Sequence, residues 1–203
     1  MTNVFVISAP SGSGKSTLVH ELMRRVAGLR FSVSYTTREP RGQEQNGRDY
    51  FFIDRADFEA RVAKDEFLEW AEVFGHYYGT NRSELERAAE DGCDLVLDID
   101  VQGAQQLKKK IPTAVSIFIL APSRQELEQR LRARSQDSAE VIERRLHEAA
   151  EEIRNYWRYD YVLVNGEVNA SVERLAAIVA ANRSRRERME REIRPILETF
   201  ENV

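Results

Sequence analysis

The sequence is poor in several things, and each shortage excludes a class of protein. One cysteine, Cys93, in 203 residues cannot build a disulfide framework, so a small disulfide-stapled fold is excluded. Three isolated histidines, His20, His76 and His147, lack zinc-ligand spacing. The longest apolar runs are only a few residues, too short to cross a bilayer, and no membrane partner is expected. Residues 1–8 are too short for a signal peptide, so no secretory leader is expected. Basic residues are not in excess. Thirty Lys and Arg face 34 Asp and Glu, a net charge of −4, which excludes a generally basic nucleic-acid binder. What is present is an apolar fraction of 42%, enough for a sizeable core. The expectation is a soluble, cytoplasmic α/β protein of one domain with room for an insertion.

Four short apolar runs do not alternate with polar residues, and so read as buried parallel strands: 4–7, 95–99, 115–120 and 161–164. Each precedes a segment of helical character, at 16–26, 101–110, 123–134 and 170–181. Strand followed by helix, repeated, predicts βαβ units and a sheet covered on both faces. Between residues 31 and 93 the rhythm changes, and glycines punctuate polar and aromatic stretches. This predicts an insertion of short strands with two helices, near 55–64 and 81–91. There is no internal repeat and no low-complexity segment.

Residues 4–17 read VFVISAPSGSGKST. A buried strand enters a loop of small residues, which enters a helix, the setting that a phosphate-binding P-loop needs. The nine residues Ala9, Pro10, Ser11, Gly12, Ser13, Gly14, Lys15, Ser16 and Thr17 are therefore candidate contacts to a nucleotide triphosphate. Backbone N–H groups of such a loop converge on phosphate oxygens, and Gly12 and Gly14 let the main chain approach closely. Lys15 supplies a cation to the outer phosphates, and Ser16 a hydroxyl to Mg²⁺. Ala9 stands where the consensus has glycine, which questions any need for positive φ there.

The run at 95–100 is apolar and then acidic, with Asp98 and Asp100. A carboxylate at the C-terminal end of a parallel strand lies near the ligand crevice, where it can support a Mg²⁺ shell. Strand alternation predicts that both carboxylates face one side. Two such charges are costly to bury without a cation or donors.

With these stretches in view, the chain resembles the guanylate kinases over about residues 3–181. The resemblance rests on Ser34-Tyr35-Thr36-Thr37-Arg38-Glu39-Pro40-Arg41, then Asn46-Gly47-Arg48-Asp49-Tyr50, Glu69-Trp70-Ala71, Tyr77-Tyr78-Gly79-Thr80, and Leu97-Asp98-Ile99-Asp100-Val101-Gln102-Gly103. It implies phosphoryl transfer from ATP to GMP with Mg²⁺, on a P-loop NTPase-type parallel sheet flanked by helices. A mixed α+β insertion at 34–91 would bind GMP, within a core of 1–33 and 92–203. A helical lid would span about 123–150. By resemblance, Ser34, Arg38, Arg41, Tyr50 and Tyr78 hold the GMP phosphate, and Glu69, Thr80 and Asp100 read the guanine. Asp98 lies near the metal and the acceptor phosphate, and Arg130, Arg134 and Arg145 close on the transferring group. Thr80 replaces a common Ser and keeps the hydroxyl. Ser135 replaces a common Gly after Arg134, at an expected hinge.

The residue types suit this chemistry. A carboxylate matches the N1–H and N2–H₂ donors of guanine together, and adenine presents neither pattern. Arginine forks match phosphate oxygens two at a time. On the lid, Leu127 and Leu131 define an inward face that includes Arg134, with Arg130 beside it. In the run 139–157, Ile142, Leu146, Ala149, Ile153 and Trp157 form an apolar stripe with Arg145 at its edge. Arg132 and Arg144 point to solvent.

Residues 182–203 form a C-terminal extension with alternating Arg and Glu. Met189, Ile193, Ile196, Leu197 and Phe200 recur at helical spacing, and Pro195 is expected to kink or interrupt the helix. Such a stripe buries either against the chain's own core or against a second subunit, in a homodimer or higher oligomer. Other readings of the whole chain are another small-molecule kinase of this fold, a non-catalytic phosphopeptide module of the same type, and a P-loop switch protein. Neither nucleic acid nor membrane is expected as a partner.

Overall fold

The computed structural model describes residues 2–73, 75–134 and 138–201. The chain opens with strand β1 (Val4–Ser8), helix α1 (Lys15–Arg25) and strand β2 (Leu29–Phe31). Short strands β3 (Tyr35–Thr36) and β4 (Phe51–Phe52) follow, then α2 (Arg55–Ala63), β5 (Phe67–Val73), β6 (His76–Asn81) and α3 (Ser83–Glu90). The chain then alternates β7 (Asp94–Asp98), α4 (Val101–Lys110), β8 (Val115–Leu120) and α5 (Arg124–Arg134). It ends with α6 (Ala139–Ile153), a 3-10 turn at Tyr156–Arg158, β9 (Tyr161–Val164), α7 (Val168–Arg183) and α8 (Arg186–Glu201).

The main sheet has the order β2-β7-β1-β8-β9 and is parallel throughout. The non-alternating runs become its central strands because both faces are covered. Phe5 and Ile7 point to one face, where they pack with Leu18 and Leu22 of α1 and Leu175 and Val179 of α7. Val4 and Val6 point to the other, against Leu107 of α4, Ala88 of α3 and Leu68 of β5. Each large side chain buried there contributes about 1.5–3 kcal/mol. The edge strand β2 was not among the predicted strands, because three half-buried residues carry too little pattern. Asp94, at the start of β7, accepts from Asn3 N and Asn3 Nδ2, both at 2.8 Å, and from Arg183 Nε at 2.8 Å. This buried carboxylate ties the start of the chain to the end of α7.

A second sheet, β4-β3-β6-β5, belongs to the predicted insertion. Its stability comes from aromatics: Phe58 of α2 is fully buried and stacks on Phe67 at 4.5 Å and on Tyr77 at 5.1 Å. The β5–β6 pairing shifts register between Phe67 and Glu69. This bulge lets Phe67 join the aromatic cluster, Leu68 enter the main core, and Glu69 face α4.

The α5–α6 pair closes on its own core of Leu127, Leu131, Ile142, Leu146 and Ala149, as the stripes predict. Trp157 departs from that stripe. Helix α6 stops at Ile153, and the tighter 3-10 turn rotates Trp157 off the face, leaving it 67% exposed. Helix α8 continues through Pro195, which does not interrupt it. Its stripe does not pack on the chain's own core, because Ile196, Leu197 and Phe200 are all exposed. Among the described residues no helix is long and apolar enough to cross a membrane.

Candidate active site

The phosphate loop leaves β1 at the centre of the main sheet. Gly12 and Gly14 take φ of +86° and +88°, a region closed to most side chains. Ala9 does not adopt positive φ, so its methyl group is accommodated and no glycine is required there. Helix α1 starts at Lys15 with no capping side chain and no acidic residue in its first turn. By contrast α2, α4, α6 and α7 are capped by Asp54, Asp100, Ser138 and Glu167. The amides of the first turn of α1 and the positive end of its dipole therefore remain for an anion.

The loop is braced from the far edge of the sheet. Asn165, just after β9, is buried and donates from Nδ2 to the Ser13 carbonyl at 2.9 Å. Arg130 donates to the same carbonyl at 3.4 Å, to the Asn165 carbonyl at 3.0 Å and to Glu126 at 3.0 Å. The structure thus places Arg130 on the loop's main chain. The Ser13 hydroxyl and the Asn165 side-chain oxygen are buried without a hydrogen-bond partner.

Between this loop and the second sheet lies a cleft lined by Lys15, Ser34, Tyr50, Glu69, Tyr78, Asp98 and Asp100, with Ala71, Val73 and Ile99 as its apolar wall. Seven residues named from the sequence therefore share one cavity. Lys15 Nζ is ion-paired with Asp98 Oδ1. Asp100 does not extend β7, as strand alternation had it. The strand ends at Asp98, and Asp100 caps α4, its Oδ1 accepting from Gly103 N at 2.7 Å. It reaches the cleft as a helix cap instead.

Glu69 is 4% exposed. Burial pushes its carboxyl up to about 7, Thr80 opposes the shift, and Asp100 adds to it. Thr80 is its cross-strand neighbour. Its hydroxyl is buried and lies near enough to influence Glu69, but outside good hydrogen-bond geometry with any group. Glu69 is thus a buried carboxylate on the wall of the cleft.

Arg38 is 7% exposed. Both terminal nitrogens grip Glu44, at 2.9 Å each, and Glu44 also accepts from Arg41 N at 2.8 Å. The pairing holds the Glu44 carboxyl below the usual range. The Arg38 guanidinium lies 5.4 Å from the Tyr50 ring centre, and Tyr50 and Tyr78 meet at 6.0 Å. Arg38, Tyr50 and Tyr78 are thus brought together, with Arg38 beside the cleft and not among its lining residues, whereas Arg41 is exposed and also outside that lining. Ser16 lines a neighbouring cavity with Asp98, Tyr50 and Glu44. Arg145 is half-buried on α6, and the Arg134 side chain and Ser135 lie outside the described residues.

Three site residues escaped the sequence reading. Glu44 pairs with Arg38 across a loop, and its only signal is its place three residues after Arg41. Asn165 is the first polar residue past the C-terminal end of β9, where ligands meet parallel sheets. Glu152 lies on α6 at i+7 from Arg145, on one face with it. Its carboxyl is raised to about 7, first by burial; Lys15 opposes the shift and Asp100 adds to it.

The family model described as guanylate kinase matches residues 1–182. The chain belongs to the guanylate kinase family. The guanylate kinase of Koribacter versatilis is 59% identical, over 98% of this chain and 87% of its own. That of Shewanella violacea is 50% identical, over 89% of this chain and 88% of its own. A crystal structure of guanylate kinase from Anaplasma phagocytophilum superimposes with a TM-score of 0.78 at 35% identity, covering 95% of this chain and 93% of that one. The five-stranded parallel sheet is the guanylate kinase form of the P-loop NTPase fold. As a guanylate kinase, the chain transfers the terminal phosphoryl group of ATP to GMP, giving ADP and GDP in purine nucleotide metabolism.

Proposed function

We propose that GMP lies in the cleft with its base on Glu69 and its phosphate toward Arg38, Tyr50, Tyr78 and Ser34. The observation that carries this reading is the cavity itself, whose lining combines the buried Glu69 carboxylate with Lys15 and Asp98. Glu69 accepts from guanine N1–H and N2–H₂, with Thr80 and Asp100 beside it. Arg41 closes on the phosphate from the exposed loop. The triphosphate of ATP lies on the amides from Ala9 to Thr17, with Arg130 bordering that end. Lys15 then turns from Asp98 to the outer phosphates. Arg134 and Arg145 supply the lid cations.

Mg²⁺ fits the donors present. Ser16 and Asp98 offer hard oxygens to one cavity, and Mg²⁺ is commonly held by one or two protein groups plus phosphates and water. Among the described residues no group of three or more His, Cys, Asp or Glu could hold a metal unaided, which suits an ion that arrives with the nucleotide. Bound there, the ion would neutralise charge on the transferring phosphates. The chain's own task is placement. Amides and cations fix donor and acceptor in line, and a GMP phosphate already ionised near neutral pH needs no strong base.

The same reading divides the chain into a core (1–33 and 92–203), a GMP-binding insertion (34–91) and a lid (about 123–150), working in the cytoplasm. Helix α8 joins two copies through its exposed stripe, and a chain lacking 184–203 then has half the solution mass. Substrate polarity is tested by equilibrium binding of GMP and guanosine. Tyr78→Phe should weaken GMP alone, and Glu69→Gln should weaken both. Equal losses for both ligands in both variants would refute the layout.

A further inference from the structure

The structure assigns a specificity-determining role to Gly103, a residue that touches no phosphate and carries no side chain. The inference rests on the reading of Glu69 as the guanine acceptor. Gly103 lies in the first turn of α4 and is buried. Glycine there is not required by the backbone, since Gly103 is absent from the positive-φ residues. Glycine in a helix costs about 1 kcal/mol relative to alanine. Something other than local conformation must account for it.

The answer is space. A Cβ built on Gly103 would collide with Glu69 Oε2 and lie 3.1 Å from Glu69 Cδ and 3.4 Å from Asp100 Oδ1. The carboxylate of Glu69 therefore occupies the volume that any side chain at 103 would fill. The strand cannot withdraw to make room, because α4 pins it on both sides of Glu69. Gln106 accepts from Trp70 N at 3.3 Å and donates to Trp70 O at 2.7 Å. Lys110 donates to Phe67 O at 3.0 Å. Gly103, Gln106 and Lys110 share one face of α4. Two of them fasten β5 and the third leaves a gap for the carboxylate.

With the backbone held, an added methyl group can be relieved only by rotating the Glu69 carboxylate, the free end of a flexible chain. The fold survives and the carboxylate leaves its place. Gly103 thus sets guanine selectivity by position, acting through Glu69.

The test compares Gly103→Ala, Glu69→Gln and the double variant, with GMP and with inosine monophosphate, which lacks the 2-amino donors. Gly103→Ala should raise KM for GMP about ten- to hundredfold, the loss expected for hydrogen bonds to a charged group. It should lower the GMP-to-inosine preference, leave KM for ATP unchanged, and hold or raise Tm. In the Glu69→Gln background the same change should have little further effect on that preference, because coupled residues are not additive. An unchanged preference in Gly103→Ala, or an equal drop in both backgrounds, overturns the role of Gly103 while the base reading stands. An unchanged preference in Glu69→Gln removes the base reading, and the role of Gly103 with it.

Discussion

Lys15, the first residue of α1, is ion-paired with Asp98, the last residue of β7. The two elements meet because β1 and β7 are neighbours, with Ile7 in register with Asp98. In this state the Lys15 cation is neutralised by a carboxylate of the cleft. On the proposed layout a phosphate that takes Lys15 leaves the Asp98 carboxylate without its partner, and a cation arriving with the nucleotide would restore the balance.

Removing that cation separates binding from turnover. Lys15→Ala is expected to lower kcat by about a hundredfold or more, the scale of losing one transition-state donor, while GMP still binds. A coupled ADP assay with calorimetric GMP titration checks this. Turnover within a few-fold of the parent would exclude Lys15 from the transferring phosphates.

Glu69 should make GMP binding depend on pH. Burial pushes its carboxyl up to about 7, and on the proposed layout it is the charged form that accepts both guanine donors. KM for GMP should therefore rise below pH 7, by up to about tenfold per pH unit. GMP itself gains a proton in that range, so the comparison is with Glu69→Gln, whose profile should lose this limb. Stability follows the same titration. The folded pKa lies above the ordinary 4.5, so the native state binds more protons between 4.5 and 7. Stability then falls as pH rises through that window, by up to about 3 kcal/mol, and is flat above it. Thermal melts should show Glu69→Gln gaining more at pH 8 than at pH 4.5.

Arg38 is held by two parallel bonds that lysine cannot form. Arg38→Lys should raise KM for GMP by about tenfold or more, with KM for ATP unchanged. Steady-state kinetics with each substrate varied in turn decides the point.

The second sheet depends on one ring. Phe58 is fully buried against Phe67 and Tyr77, and Phe58→Ala should cost about 3–5 kcal/mol. Denaturant unfolding measures the loss. Because β5 and β6 carry Glu69 and Tyr78, KM for GMP should rise as well.

The phosphate loop and the core strands were readable because their signals are local: a small-residue loop between a buried run and a helix. The cleft was readable mainly through the resemblance. Glu69 alone reads as a surface residue between Leu68 and Trp70, and it turns inward because of a register shift that no pattern announces. The resemblance puts Asp100 at the cleft, but strand alternation does not explain its place, because the chain leaves β7 at Asp98 and Asp100 caps α4. Asn165 acts through a residue 152 positions away, and Glu44 pairs with Arg38 six positions away across an irregular loop, where no periodicity marks a pair. Trp157 fits a helical stripe, but the helix stops four residues before it.

The bond between Arg183 and Asp94 marks where the catalytic body ends. The family match stops at residue 182, one position short of it. Arg183 also donates to the carbonyls of Ala27 and Gly28, so it fastens the turn that leads into β2. A shortened version cut at the limit of the family match would lose this clasp, leave a buried acid with fewer donors, and loosen the edge of the main sheet. An expression boundary after Arg183 keeps it.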